Sequence, residues 1–280
     1  MLTRSSVRVL SDADLPEVWR VLGTEPVAAA WVASRIAVAG LAEWRLGAQV
    51  WGHSPHGRLQ SLCYSGANLV PVAATEAALS SFAQRARSQG RVCSSLVGPA
   101  DAVLGLWSLL EPVWGPARDV RARQPLLMTS TVPDVAPARG VRRAVVADLP
   151  ALVPACVAMY TEEIGVSPIG RDGGSFYGAK VAESVRLGRT YVLTEGGEVV
   201  FKAELAAVTG AACQVQGVWV APDRRGHGIA TACMAAVVAD ALRSVAPAVS
   251  LYVNDFNAAA LTVYRRCGFR QVGTFASVLF

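Results

Sequence analysis

The feature that most constrains the fold is a short stretch of sequence that occurs twice. Residues 7–18 read VRVLSDADLPEV and residues 141–152 read VRRAVVADLPAL, with six of twelve positions identical at an offset of 134 residues. Both copies are typical of a short strand followed by a helix with a capping Asp and a Pro in its first turn. The simplest interpretation is two copies of one α/β unit; a chance match between two common helix starts is the alternative.

The chain of 280 residues is long enough for two ordinary domains. Residues 128–140, MTSTVPDVAPARG, lack any periodic apolar pattern and contain Pro133 and Pro137. This composition predicts a linker. We therefore expect a first domain over 1–127 and a second over 141–280.

The second half predicts a mixed, mostly antiparallel sheet flanked by helices. Segments rich in β-branched and aromatic residues predict strands, and apolar runs that end at Gly or Pro predict helices. The predicted elements are a hairpin of strands 190–194 and 198–208, a strand at 213–220, a helix at 229–244, a strand at 249–255, a helix at 257–269 with a glycine cap at Gly268, and a final strand.

Composition excludes several classes of protein. Every long apolar run is interrupted by a charge, which argues against a membrane span, and the N-terminus lacks the apolar core of a secretory signal, so we expect a cytoplasmic protein. The net charge of +5 comes from arginines scattered along the chain, which argues against a nucleic-acid site. Six separated cysteines and only three histidines predict no metal site and no disulfide; the cysteines are expected in the core.

The most informative local stretch is RRGHGIAT, residues 224–231. It follows a predicted strand and precedes a predicted helix, so the first amides of that helix would face the loop. Glycines at 226 and 228 leave room for an anion at these amides. A P-loop would need Gly-Lys-Ser/Thr, and the spacing GxGxA differs from a dinucleotide fingerprint. An ordinary strand-to-helix turn is the other interpretation.

Two motifs in this half resemble those of the GNAT superfamily of N-acetyltransferases. Arg225-Gly226-His227-Gly228-Ile229-Ala230 is similar to the family signature Arg/Gln-x-x-Gly-x-Gly/Ala, and it follows a strand that ends in Val218-Trp219-Val220. Downstream, Asn257, Ala260 and Tyr264 share one helical face and resemble the second coenzyme helix of that family. The resemblance covers residues 141–280.

This resemblance implies two tandem GNAT-like domains and a site for acetyl-CoA as cosubstrate. The acyl-CoA would lie in the cleft where strands 213–220 and 249–255 separate, with the pyrophosphate in the loop, and Tyr264 would protonate the departing thiolate. A buried structural aromatic is the alternative for Tyr264. The residues implied in coenzyme binding are Val218, Trp219, Val220, Arg225, Gly226, His227, Gly228, Ile229, Ala230, Thr231 and Asn257.

The strand 213–220 has no carboxylate at the position where many family members carry a base. Glu204, on the preceding strand, is the best substitute, because its apolar neighbours would raise the pKa of its carboxyl group. An ion pair with Lys202 is the alternative. Glu162 and Glu163 could bind a cationic acceptor or cap a solvated turn.

The first half resembles the degenerate N-terminal domains of some two-domain GNAT proteins. An offset of 134 residues from Arg225 leads to Arg91, where no GxG occurs, so we expect this copy to lack the pyrophosphate loop. Trp44, Trp51, His53 and His56 form the only candidate ligand cluster there, with core packing and a polar turn as the alternative.

The expected activity is transfer of an acetyl group from acetyl-CoA to a primary amine on a small molecule or a protein. The amine would attack directly within a ternary complex. A non-catalytic acyl-CoA sensor or scaffold is the alternative, favoured by the missing carboxylate. We expect no nucleic acid, membrane or metal partner, and a monomer or homodimer.

Overall fold

A computed structural model describes residues 7–170 and 173–280, which fall into two compact units. The first unit comprises the chain up to Leu127 together with Tyr252–Asn257 and Gln271–Phe280, and the second comprises Met128–Leu251 and Ala258–Arg270. The range 141–280, which the sequence predicts as one domain, is thus divided between the units. The physical reason is that the last strand hydrogen-bonds within the sheet of the first unit.

The first unit contains a sheet in the order β1-β2-β3-β4-β5-β12-β6. The first three neighbouring pairs are antiparallel, β4 and β5 are parallel, and β5 and β12 are antiparallel. Its elements are β1 (Val7–Val9), α1 (Leu15–Leu22), α2 (Ala30–Ala39), α3 (Glu43–Leu46), β2 (Gln49–His53), β3 (Ser61–Ser65), β4 (Asn68–Val72), α4 (Glu76–Gln89), β5 (Ser95–Pro99), α5 (Ala100–Trp114), β6 (Asp119–Thr129) and β12 (Arg270–Leu279).

The second unit contains strands in the order β7-β8-β9-β10-β11. Successive pairs from β7 to β10 are antiparallel, and β10 and β11 are parallel, so this unit repeats the pairing pattern of β1 to β5. Its elements are β7 (Arg142–Arg143), α6 (Leu149–Ile164), α7 (Ser175–Arg186), β8 (Thr190–Glu195), β9 (Glu198–Val208), β10 (Cys213–Val220), α8 (Ile229–Ser244), β11 (Val249–Tyr252) and α9 (Ala258–Arg266).

The repeated sequence forms the same local structure in both units. Arg8 donates to Asp14, with Nη1 2.9 Å from Oδ2, and Arg142 donates to Asp148 through two hydrogen bonds of 2.7 Å. Each carboxylate also accepts from the backbone amide three residues earlier. The neighbouring guanidinium lowers the pKa of Asp14 to about 2 and lowers that of Asp148. Asp14 and Asp148 lie at the N-cap positions of α1 and α6 with Pro in the first turn, as predicted, but their carboxylates close the preceding 3₁₀ turn instead of accepting from helix amides.

In the first unit, alternate residues of each strand pack on opposite faces of the sheet. Val50, Leu62 and Val70 pack with the helices α1 and α2, whereas their neighbours Trp51, Cys63 and Leu69 pack with α4 and α5. Two residues of β12 belong to the α4 and α5 side. Both faces of the sheet are therefore covered by helices.

The predicted elements around the loop are confirmed with small changes. Helix α8 has the predicted bounds, β10 matches 213–220, and β8 and β9 form the predicted hairpin around Gly196-Gly197. Strand β11 ends at Tyr252 rather than residue 255. Helix α9 closes in a glycine cap, because Gly268 has a φ of 81° and Phe269 N–H donates to the Tyr264 carbonyl at 3.0 Å.

The fold class is a mixed α/β sheet with flanking helices, as predicted. All six cysteines are free and buried, in agreement with their expected place in the core. Over residues 7–170 and 173–280, no helix is long and apolar enough to cross a membrane. The same ranges contain no group of three His, Cys, Asp or Glu side chains that could hold a metal ion.

Candidate functional site

Strand β10 pairs with its parallel neighbour β11 over a short stretch. Its pairing with β11 consists of Cys213 with Val249 and Gln214 with Ser250, although β10 continues to Val220. The rest of β10 therefore has an edge toward which another extended chain could hydrogen-bond. Val218, Trp219 and Val220 lie on this part of the strand and are half-buried.

A bulge interrupts β10 on its other side. Its pairing with β9 passes from Gln216 opposite Glu204 to Trp219 opposite Lys202, so Gly217 and Val218 together face one residue of β9. Gly217 has a φ of 58°, a conformation that side chains disfavour. The backbone of β10 is thereby turned out of the regular ladder at its centre.

The loop after β10 presents a row of unused amides. A 3₁₀ turn over Pro222–Arg224 leads to Gly226 and Gly228, with φ of 80° and 76°, and Gly228 lies at the N-terminus of α8. Within the described chain, the backbone N–H groups from Gly226 to Ala230 donate no hydrogen bond. These residues are exposed or half-buried. Consecutive free amides at a helix N-terminus form a site for an anion.

The two glycines leave open space around this row. A Cβ at Gly226 or Gly228 would meet no atom within 4 Å. The left-handed backbone, rather than a packing contact, is what favours glycine here. The loop can therefore accept a bulky anion such as a pyrophosphate at its amides.

Arg225 connects this loop to helix α6. Its guanidinium donates to both carboxylate oxygens of Glu162, at 2.7 and 2.8 Å, and its Nε donates to the Val220 carbonyl at 3.0 Å. The guanidinium holds the pKa of Glu162 below its usual range. The predicted coenzyme residue Arg225 thus already neutralises a carboxylate, and Glu162, although exposed, ties the loop to α6.

The other predicted loop residues differ in exposure. His227 is exposed, Ile229 and Ala230 are half-buried, and Thr231 is buried. The Thr231 carbonyl accepts from the thiol of Cys267, at the end of α9. The first turn of α8 is thereby held against that end of α9. Asn257, immediately before α9, is exposed and lies in a segment of the first unit.

Tyr264 is buried in α9 with a protonated hydroxyl. Its ring packs edge-on against Phe269 at 5.8 Å between centroids. Burial raises the pKa of Tyr264 above its usual value, and the nearby negative charge of Glu163 raises it further. The phenol is therefore neutral at physiological pH and can act as a proton donor.

Glu204 is not held by Lys202. Glu204 is half-buried on β9, whereas Lys202 is buried and directs its Nζ to Cys156 Sγ at 3.4 Å. No ion pair joins the two side chains. The alternative of a Lys202–Glu204 ion pair was therefore wrong. Negative charge from Glu204 and Glu163 also helps to raise the pKa of Tyr177, after its burial.

In the first unit, the connection that corresponds to the loop is short and lacks glycine. Strand β4 ends at Val72 and α4 begins at Glu76, and the Thr75 side chain accepts from the Ala78 amide at 3.3 Å. The predicted equivalent at Arg91 was misplaced, because the ends of β4 and β10 are 148 residues apart rather than 134. In the first turn of α4, the Ala78 amide is thus capped by the chain itself.

The four side chains of the candidate ligand cluster in the first unit differ in burial. Trp51 and His53 are buried on β2, whereas His56 is exposed and Trp44 is 84% exposed. The guanidinium of Arg45 covers the Trp44 ring at 5.4 Å from its centroid. These four side chains do not form one site.

Sequence comparisons place a known family at the second unit. A family model described as the acetyltransferase (GNAT) family matches residues 173–269, and one described as a domain of unknown function (DUF4081) matches residues 48–152. The chain thus carries a domain of the GNAT acetyltransferase family, with a divergent domain before it. A comparison with curated protein sequences gives no match.

Several solved structures share the fold over nearly the whole chain. A GNAT-family acetyltransferase from Colwellia psychrerythraea is 13% identical with a TM-score of 0.58, covering 98% of this chain and 99% of that one. A GCN5-related N-acetyltransferase from Sphaerobacter thermophilus is 18% identical with a TM-score of 0.57, covering 98% and 95%. A tandem GNAT protein from the clavulanic acid biosynthesis pathway is 14% identical with a TM-score of 0.54, covering 98% of each chain. At such identities, the likeness establishes the fold.

Proposed function

We propose that the second unit transfers the acetyl group of acetyl-CoA to a primary amine. The observation that carries this proposal is the row of unused amides from Gly226 to Ala230, at the end of a strand with an open edge. Pyrophosphate needs several donors at one place, and the coenzyme arm needs an extended backbone beside it. A GNAT domain at 173–269 supports the same reaction.

The coenzyme is assigned to the residues that the two motifs name. The amides from Gly226 to Ala230 hold the pyrophosphate, and the backbone of Val218 and Val220 hydrogen-bonds the pantetheine arm. Arg225 holds the loop in place through Glu162 and Val220.

Two side chains donate and accept protons during the reaction. The neutral hydroxyl of Tyr264 donates to the sulfur as CoA departs. Glu204, free of Lys202, accepts the proton of the incoming amine, directly or through water. The acceptor is an amine that reaches Glu204, since a carboxylate favours a cationic molecule.

The first unit is proposed to be a GNAT copy without coenzyme. It repeats the strand pairing of the second unit, but its helix α4 is capped by Thr75 in a connection without glycine. This connection has neither the two left-handed glycines nor the length of the loop after β10. In this proposal the chain carries one coenzyme site.

A non-catalytic acyl-CoA sensor is the second candidate. It is favoured by the absence of a carboxylate on β10, where the polar side chains are Gln214 and Gln216. Thiol release from acetyl-CoA in the presence of mixed primary amines distinguishes the two. Amine-dependent thiol release supports the enzyme, whereas acetyl-CoA binding without it supports the sensor.

A further inference from the structure

Lys202 carries a buried amine that no carboxylate of the described residues pairs with. Its side chain is 1% exposed on β9, and its Nζ lies 3.4 Å from Cys156 Sγ. In the described part of the chain, no Asp or Glu forms an ion pair with it. Burial of an ammonium without a carboxylate is unfavourable for folding. Such a cost suggests that the charge serves another purpose.

The amine of Lys202 lies directly beneath the bulge of β10. A Cβ on Gly217 would lie 3.1 Å from Lys202 Nζ and 3.2 Å from Met159 Cε. Any larger residue at 217 would therefore press on the amine, apart from the strain of its φ of 58°. The glycine allows Nζ to approach the backbone of the bulge closely.

The acyl end of the coenzyme falls at this same point, if the proposed function holds. The pyrophosphate lies at the amides after β10, and the arm runs back along Val220 and then Val218. One strand residue further, at about 3.3 Å per residue, is Gly217. The thioester thus meets the bulge above Lys202.

We propose that Lys202 is a catalytic residue whose ammonium faces the CoA sulfur and stabilises its negative charge. In the transfer, the amine nitrogen forms a bond to the acyl carbon and loses a proton. The carbon–sulfur bond breaks, and its electron pair goes to the sulfur. A fixed cation aimed at an atom where negative charge develops lowers the barrier to that step.

Two groups near Lys202, a thiol and a phenol, keep their protons near neutral pH. Burial raises the pKa of Cys156 and of Tyr177, so both stay neutral. Glu204 lies two residues along β9, and Glu163 lies on α6. Titration of bound CoA between pH 6.5 and 9.0 is therefore dominated by its own thiol, because a free thiol titrates near pH 8.5.

The test is calorimetric binding of CoA and of acetyl-CoA to the full chain at pH 6.5 and 9.0. In the wild type, CoA is expected to bind at least about fivefold more tightly at pH 9.0, since a neighbouring cation favours the thiolate by one pKa unit or more. Acetyl-CoA has no titrating thiol and controls for other pH effects. Lys202→Met is expected to remove the difference, and Lys180→Met, which changes the other, exposed lysine of the chain, is expected to keep it.

The outcomes separate this inference from the proposed function. One outcome is that the wild type binds acetyl-CoA but the pH difference in CoA affinity is the same in the wild type and in Lys202→Met, or is absent from both. This outcome would overturn the role of Lys202 alone. Absence of acetyl-CoA binding by the wild type would overturn the proposed function and this role with it. A thermal unfolding scan shows whether Lys202→Met is folded. The same titrations on Lys202→Gln repeat the test with a second variant.

Discussion

Backbone conformation, more than packing, explains why the loop has glycine at single positions. Gly226 and Gly228 have left-handed φ values, yet the space around a Cβ at either position is open. A substitution there therefore strains the chain without a clash. A substitution therefore lowers stability through backbone strain, whereas its effect on ligand binding depends on the size of the new side chain.

Gly228→Ala is expected to lower the free energy of unfolding by about 1 kcal/mol, because alanine disfavours positive φ. The measurement is urea denaturation of the full chain. Gly178→Ala is the matched control, since Gly178 lies in α7 with open space and ordinary helical backbone. That variant is expected to gain about 0.4–1 kcal/mol. Equal effects at both positions would contradict the assigned backbone strain.

Tyr264→Phe is expected to lower kcat for amine acetylation by roughly 10²-fold while the KM for acetyl-CoA changes little. The reason is that the ring and its packing on Phe269 are kept and only the proton donor is lost. Steady-state kinetics with saturating amine make the comparison. A kcat equal to that of the wild type would show that Tyr264 is only a core aromatic.

Buried phenols and thiols predict loss of stability at alkaline pH. Burial raises the pKa of Tyr177, Tyr191 and Tyr264, and raises that of Cys93 and Cys213 to about 11. A raised folded pKa means that the unfolded chain ionises first as pH rises. Stability is therefore full below the unfolded thiol value, about 8.5, and falls above it. Urea denaturation between pH 7 and 10.5 checks this, and a constant or rising stability would contradict it.

At the scale of elements, the pair of Arg225 and Glu162 joins the loop to helix α6. The side chains are 42% and 53% exposed, so solvent screens the pair and its value comes from its two-point geometry. The lowered pKa of Glu162 means that its contribution is present above the ordinary glutamate value and is lost as pH falls.

A double-mutant cycle with Glu162→Gln and Arg225→Gln is expected to give a coupling free energy of about 0.5–1 kcal/mol at pH 7. The coupling is expected to decrease as pH falls below the ordinary glutamate value and to disappear once Glu162 is protonated. Each single variant is expected to weaken acetyl-CoA binding, because the loop loses its tie to α6. Tighter binding by Glu162→Gln would show instead that a released Arg225 prefers the phosphate.

Elements with local signals were predictable, and pairs distant in sequence were not. Helix α8 has the predicted bounds because Gly228 and Pro247 mark its ends and apolar residues follow its period. The partners Arg225 and Glu162 are 63 residues apart, and Lys202 and Cys156 are 46 apart. No periodic pattern connects such positions. A buried lysine in an apolar strand, as in FKAEL, was the one available signal.

At the scale of the molecule, the first unit depends on the end of the chain. In its sheet, β12 stands between β5 and β6, and its Ala276 and Val278 are fully buried. The sequence could not predict this placement, since strand order is set by long-range pairing. The duplicated start of each unit was visible because Arg8 with Asp14, and Arg142 with Asp148, form a local structure.

Removal of residues 271–280 is expected to abolish cooperative unfolding of the first unit, because β5 loses its hydrogen-bonded partner and the core loses buried side chains. Circular dichroism and urea denaturation of the truncated chain test this. The fragment 1–137 is expected to behave in the same way. A cooperative transition in that fragment would contradict the role of β12.

Calorimetric titration of acetyl-CoA into the 280-residue chain and two variants tests directly whether the loop binds the coenzyme. Gly228→Trp places bulk over the free amides, whereas Gly210→Trp places it in the turn after β9, where space is also open. We predict that the wild type and Gly210→Trp bind one acetyl-CoA per chain with similar affinity, and that Gly228→Trp binds at least about tenfold more weakly, the loss of one good ligand contact. Equal binding by all three, or no binding by the wild type, would show that the loop is only a turn.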